Sequence, residues 1–135
     1  WIPMLRGGQA VIELTDLRDA AAAILSAAGC LDTIGGEAIN ISGGRPISVK
    51  SLTLQLSHAL GVRAQTVPLP LWLAKTIAKA AERNAGGAEP VLTPYTMATL
   101  AFSQTFNLGK AQEKLGYHPR HDAVATLLEV ARTQR

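Results

Sequence analysis

The apolar positions alternate between short runs and stretches with helical spacing. After Gly7-Gly8 the run Val11 to Leu14 predicts a strand. Asp16 or Asp19 then opens a helix, in which Leu17, Ala20, Ala21, Ile24, Leu25 and Ala28 repeat as a buried stripe would, with Gly29 at its end. Ala38 to Ile41 reads as a second strand, apolar enough to be covered on both faces. Ser48 is an N-cap for a helix whose core face is Val49, Leu52, Leu56, Ala59 and Leu60, and Gly61 stops it. Arg63 to Val67 reads as a short strand closed by Pro68-Leu69-Pro70. Leu71 to Asn84 follows as an amphipathic helix, with Ala74, Ile77, Ala78 and Ala81 on one face and Lys75, Lys79, Glu82 and Arg83 on the other. Asn84 to Pro90 is the one loose linker, read as a flexible loop. A helix from Pro94 through Met97 and Leu100 comes next, then an extended piece from Gln104 to Phe106. Asn107 caps a helix that Gly116 terminates, and Asp122 caps the last one, with Val124, Leu127, Leu128 and Ala131 inward. Short strands alternating with about six helices predict an α/β layer arrangement and not a bundle.

Composition narrows the class. At 135 residues, 47% apolar and 17% charged, the chain suits one globular domain with a core of its own. No apolar run approaches the ~20 residues of a membrane-spanning helix. The net charge is +3 and the pI about 9.4, but the Lys and Arg are scattered, so no nucleic-acid partner is expected. Lys75, Lys79 and Arg83 share one helix face, and Arg120, Arg132 and Arg135 crowd the C-terminus; both groups read as solvated faces. The single cysteine, Cys30, excludes an intrachain disulfide and fits an intracellular, cytoplasmic setting.

The residues carry little catalytic chemistry. Gly36 to Val49 (GEAINISGGRPISV) has the outline of a phosphate-binding strand-to-helix junction. It offers only Gly43-Gly44 where a dinucleotide fingerprint needs three spaced glycines, and Pro46 removes an amide donor. A structural turn is the simpler reading, although Arg45 and the helix start at Ser48 are able to attract an anion. His118 and His121 lie three apart across Pro119 without a Cys or carboxylate cluster, so no metal site is expected. There is no G-x-S-x-G nucleophile turn. Glu13, Asp16 and Asp19 form a small acidic group, and helix capping and dipole matching account for the two aspartates more simply than catalysis does.

Four segments, in order, resemble the C-terminal part of the extended short-chain dehydrogenase/reductases, the NAD-dependent epimerase/dehydratase family. They are IELTDLRDAAAAIL, with Asp19 where that family has an aspartate; GEAINISGGRPISVKSL; VPLPLWLAK; and LTPYTMATLAFSQTFNLGKAQEKLGYHP, with Asn107 where Asp is usual. The L-T-x-Y…T-F run and the LGY-x-P ending look most like the 3-beta-hydroxysteroid and sterol dehydrogenase branch.

The resemblance implies a single substrate-binding domain over residues 1–135, a piece of a longer chain whose N-terminal Rossmann half is missing. That half would bind NAD or NADP and carry the Tyr-x-x-x-Lys set; here Tyr95 is followed by Thr99 and Tyr117 by His121, so no cofactor site and no catalytic set are expected in this chain. The arginines that clamp a nucleotide-sugar pyrophosphate in that family look replaced, by Ile12 and within Leu100 to Phe106, with Arg6 or Arg45 as possible substitutes. A small apolar alcohol or ketone substrate suits the Leu71 helix better, although that helix also reads as ordinary core or as a membrane-surface helix. Arg6, Arg45, Thr93 and Tyr95 are the candidate substrate-binding residues. Self-association of the chain through the face meant for the missing half is expected. A non-catalytic binding or interaction module that keeps the fold without a cofactor half is the alternative.

Overall fold

In the computed structural model the elements run β1 (Ile2–Leu5), a 3-10 turn (Arg6–Gly8), β2 (Val11–Glu13), α1 (Leu17–Gly29), α2 (Leu31–Ile34), β3 (Pro46–Ser48), α3 (Val49–Ala59), β4 (Thr66–Leu69), α4 (Leu71–Asn84), α5 (Pro94–Ala101), α6 (Gly109–Leu115) and α7 (Ala123–Thr133). Residues 1–84 and 94–133 are described, with the side chains of 80–84 and 94–95 outside the description. β1 pairs in parallel with β4, Ile2 opposite Thr66 and Leu5 opposite Leu69, and β2 pairs with β3. The chain divides into two compact units, residues 1–12 with 47–104 and residues 13–46 with 105–135.

The first unit is held by small and flexible apolar side chains. Leu5, Ala74, Ala78, Met97 and Ala101 form its core, with Leu69 and Leu71 packed against it. Alanines on α4 and α5 let the helix backbones approach closely, and Met97 fills the remaining irregular space. α4 has the bounds its periodicity predicts, and Ala74 and Ala78 lie inside while Lys75 and Lys79 lie outside. Ile77, expected inside, is 47% exposed, and Ala81 is outside the described side chains. Ser48 caps α3 by accepting from the Ser51 N–H at 3.1 Å. Strand β4 begins three residues later than expected and runs through Pro68, which a two-stranded sheet tolerates because each strand has a free edge.

The second unit is built around Ala23, Ala111 and Tyr117, with Ile39, Ile41, Leu108 and Leu115 against them. Asp16 caps α1, accepting from the Arg18 N–H at 2.9 Å. The predicted apolar stripe of α1 is not its buried face: Leu17, Ile24 and Leu25 are 83%, 69% and 74% exposed, whereas Asp19 and Ala23 are buried. The reason is Asp19, whose carboxylate reaches the backbone of Arg120 and His121 and so turns the 19/23 face of the helix inward. Ala38 to Ile41 is not a strand. Ile39 and Ile41 are half-buried on the core while Ala38 and Asn40 are exposed, and Lys110 Nζ bonds the Ala38 carbonyl at 2.9 Å in place of a ladder partner. Asp122 caps α7 through the N–H groups of Val124 and Ala125 at 3.0 and 3.1 Å. Asn107 Oδ1 accepts from the Gly109 N–H at 2.8 Å as α6 begins.

Candidate functional site

Charged and polar side chains are handled differently in the two units. In the second, Asp19 accepts from the N–H groups of Arg120 and His121 at 3.0–3.1 Å and faces His121 Nδ1 at 2.7 Å. Burial works to raise the Asp19 carboxyl, but the hydrogen bonds from His121 and Arg120 outweigh it and hold the group below its ordinary value. Asp16 takes Arg18 Nε and Nη2 on its two oxygens, each at 2.9 Å, and the Thr126 hydroxyl at 2.7 Å; the Arg18 bonds, then Thr126, hold its carboxyl far below the usual range. Glu37 is lowered by Lys110 and then Lys114, at 2.8 and 3.1 Å. Ser42 donates to Glu13, and the Tyr117 hydroxyl donates to the Ser42 carbonyl at 3.0 Å; burial, then the Asp19 charge, pushes the Tyr117 phenol up. These groups bind one another and tie together segments far apart in sequence.

Gly43 and Gly44 belong to this framework. A Cβ on Gly43 would lie 2.3 Å from the Leu14 carbonyl oxygen, the acceptor of the Gly43 N–H, so the glycine permits a backbone approach. Arg45 Nη1 pairs with Asp122 at 2.7 Å, where it reinforces the cap of α7. The same unit has an apolar cleft of about 380 Å³ lined by Ala23, Ile24, Ile34, Ile39, Ile41 and Leu115.

In the first unit Arg6 stands apart. It is the one non-glycine residue at positive φ among those described (φ 50), followed by Gly7 and Gly8 at φ 71. Gly8 is required: a Cβ there would lie 2.5 Å from Met4 Sδ and 2.9 Å from Lys50 Cβ. The Arg6 guanidinium lies 5.5 Å from the centroid of the Phe102 ring. Arg6, Gln9, Ala10, Ala101, Phe102 and Ser103 line a cleft of about 220 Å³, and the Ser103 hydroxyl oxygen accepts from the Val11 N–H at 3.1 Å. A second, apolar cavity of about 390 Å³ lies among Met4, Leu5, Val49, Leu69, Ile77 and Leu100.

Of the four candidate residues, Arg6 and Arg45 thus belong to different units, the first at a cleft and the second in an ion pair. Thr93 lies outside the described residues, as does the 85–90 stretch of the expected loop; Tyr95 is on α5, its side chain outside the description. Gln9, Phe102 and Ser103 escaped the sequence reading because nothing in the run from Leu5 to Ala10 shows that Ala101 to Ser103 returns beside it. Among the described residues no group of three or more His, Cys, Asp or Glu is placed to hold a metal, and no helix is long and apolar enough to cross a membrane.

The sequence matches no protein-family model. It is 30% identical over 119 residues to the uncharacterized protein YbjS of Escherichia coli (strain K12), covering 84% of this chain and 35% of that protein. It is 32% identical over 90 residues to 3beta-hydroxysteroid-dehydrogenase/decarboxylase isoform 1 of Arabidopsis thaliana, covering 62% of this chain and 20% of that one. Among solved structures, UDP-glucuronic acid 4-epimerase from Bacillus cereus, in complex with UDP-glucuronic acid and NAD, superposes with a TM-score of 0.63 at 16% identity, covering 98% of this chain and 35% of the epimerase. The chain therefore spans about a third or less of the length of these relatives. The likenesses support the resemblance to extended short-chain dehydrogenase/reductases, and the chain has the mixed α/β fold of the C-terminal portion of such epimerases.

Proposed function

We propose that this chain is the substrate-side part of an NAD(P)-dependent oxidoreductase or epimerase acting on an alcohol or ketone carbon, and that it is not catalytic by itself. The observation that carries the reading is a likeness running through 98% of the chain but only 35% of an epimerase solved with NAD. The relation to a 3beta-hydroxysteroid dehydrogenase favours the same chemistry. Hydride transfer needs a held nicotinamide and a proton donor, and the chain has neither a glycine fingerprint nor Tyr-x-x-x-Lys. Both would come from a Rossmann half that the chain's sequence does not contain. The Leu17, Ile24 and Leu25 stripe of α1 is a face for that half to cover.

Three measurements test this. Titration of NADH into the 135-residue chain, followed by nicotinamide fluorescence, is expected to show no binding; saturable binding would overturn the division of labour. Reading the coding region upstream of Trp1 is expected to reveal the glycine fingerprint and Tyr-x-x-x-Lys, and an open frame lacking both would favour a non-catalytic binding module. Light scattering on the isolated chain is expected to show concentration-dependent association that Leu25→Glu reduces.

A further inference from the structure

We propose that the α4 side of the first unit is a docking surface for an anionic lipid bilayer. At about 100° per residue, Trp72, Leu73 and Ile77 fall within one arc of about 140° on α4, and Lys75 and Lys79 follow within about 60° beyond Trp72. Trp72 is 70% exposed, Ile77 and both lysines are exposed, and Leu73 is half-buried. Between Leu71 and Lys79, Thr76 is the one polar residue inside the arc. Its hydroxyl donates to the Trp72 carbonyl at 2.9 Å, so the helix itself satisfies it. The apolar surface continues past α4, because Ile77 also lines the cavity of about 390 Å³, whose other exposed lining residues are Pro3 and Leu100.

Charge favours a lipid surface over a protein partner. Lys75, Lys79 and Lys50, the last next to Val49 in the cavity lining, meet no carboxylate among the described residues. The unit is also the basic one: residues 1–12 and 47–104 hold six Lys/Arg against two Asp/Glu, while the other unit holds seven against eight. An ammonium group meets a phosphate in any orientation, so these lysines suit a disordered headgroup layer as well as a fixed partner. A tryptophan where apolar and basic positions meet is the residue that favours the headgroup boundary, with lysine stems lying along the acyl region and their charges outside it. α4 has 14 residues, short of the ~20 that cross a bilayer, so it would lie in the headgroup plane.

Lipid binding is read without cofactor or turnover, so this inference and the proposed function can fail separately. The probes are vesicles of phosphatidylglycerol and of phosphatidylcholine, mixed with the 135-residue chain and sedimented. Binding to phosphatidylglycerol is expected to be at least about tenfold tighter than to phosphatidylcholine, and to be reversed by added salt. Trp1→Phe leaves Trp72 as the one tryptophan, whose emission should shift to the blue on binding and be quenched by brominated acyl chains. Trp72→Ala should weaken binding at least about tenfold, and Lys75→Gln and Lys79→Gln about fivefold each. These side chains are exposed, so the variants are expected to keep the fold, with melting curves as the check. Leu25→Glu, on the exposed stripe of the other unit, should leave vesicle binding unchanged. Binding to neither vesicle would overturn the proposal and leave the surface to a protein partner. Equal binding to both lipids, or binding lost in Leu25→Glu and kept in Trp72→Ala, would overturn it as well.

Discussion

Among the described residues of the unit 1–12 and 47–104 the buried side chains are Met4, Leu5, Ala10, Ala59, Ala74, Ala78, Met97 and Ala101, all apolar. In the unit of residues 13–46 and 105–135 they include Asp16, Asp19 and Ser42 beside Ala23, Ile34, Ala111 and Tyr117. The first unit depends on volume, because an alanine-rich interior has no polar bonds to lose and little room to gain. The second depends on hydrogen-bond geometry, because a buried carboxylate is tolerated only while its donors stay in place. Arg18 and Arg45 of the second unit pair with carboxylates, whereas Arg6 and Arg63 of the first unit, and Arg120 and Arg132 of the second, have none among the described residues.

Acid is expected to separate the units most strongly. Asp16, Asp19, Glu37 and Asp122 all have carboxyls held below their ordinary values in the folded chain. A depressed carboxyl contributes stability fully above its unfolded-state value of about 4, and that contribution is lost as pH falls through the folded value. The second unit should lose its amide signals first as pH falls from about 5 towards 3, with the first unit following later or not at all. Residue-resolved amide intensities check this; simultaneous loss in both units would remove the distinction.

Asp19→Ala takes one carboxylate from two backbone N–H groups and the His121 ring, and should destabilise by about 3 kcal/mol. Thermal melting at pH 7 measures the loss, and a cost under about 1 kcal/mol would mean that water replaces the carboxylate freely. In the first unit the corresponding test is one of volume. Ala74 is fully buried, so Ala74→Leu should cost about 1–3 kcal/mol through overpacking, with no change in the acid profile. A neutral or stabilising result would reveal slack beside the Met97 side chain.

How much of this was legible depended on whether local chemistry agreed with tertiary demand. The starts of α3, α4 and α7 could be read because a cap or a strong periodic face fixed each of them, Ser48, the Ala74/Ala78 row and Asp122, although Leu60 and Leu127, expected inward, are 43% and 37% exposed. β1 was not anticipated, since its partner β4 lies more than 60 residues away and four residues carry little periodicity. The α1 stripe misled because periodicity ranks Leu17, Ile24 and Leu25 above an aspartate. The aspartate's three tertiary bonds oriented the helix instead. Ala38 to Ile41 has strand composition, but a strand also needs a partner edge, and a lysine and a side-chain core occupy its neighbourhood. Arg6 and Arg45 looked alike in sequence, and only the fold separates an arginine paired with a carboxylate from one that lies over the Phe102 ring.

That separation gives the smallest expected effect and the sharpest control. Arg45 and Asp122 form an exposed pair, their side chains 63% and 42% accessible, so water competes for both ions and salt screens them. The α7 cap remains without Arg45, because Asp122 Oδ1 serves the Val124 and Ala125 N–H groups while the arginine uses Oδ2. Arg45→Gln should therefore change stability by no more than about 0.5 kcal/mol, with that change shrinking as salt is added. A loss well above that, unaffected by salt, would mean that the pair is shielded from water and that the second unit depends on charge geometry at its surface as well as in its core.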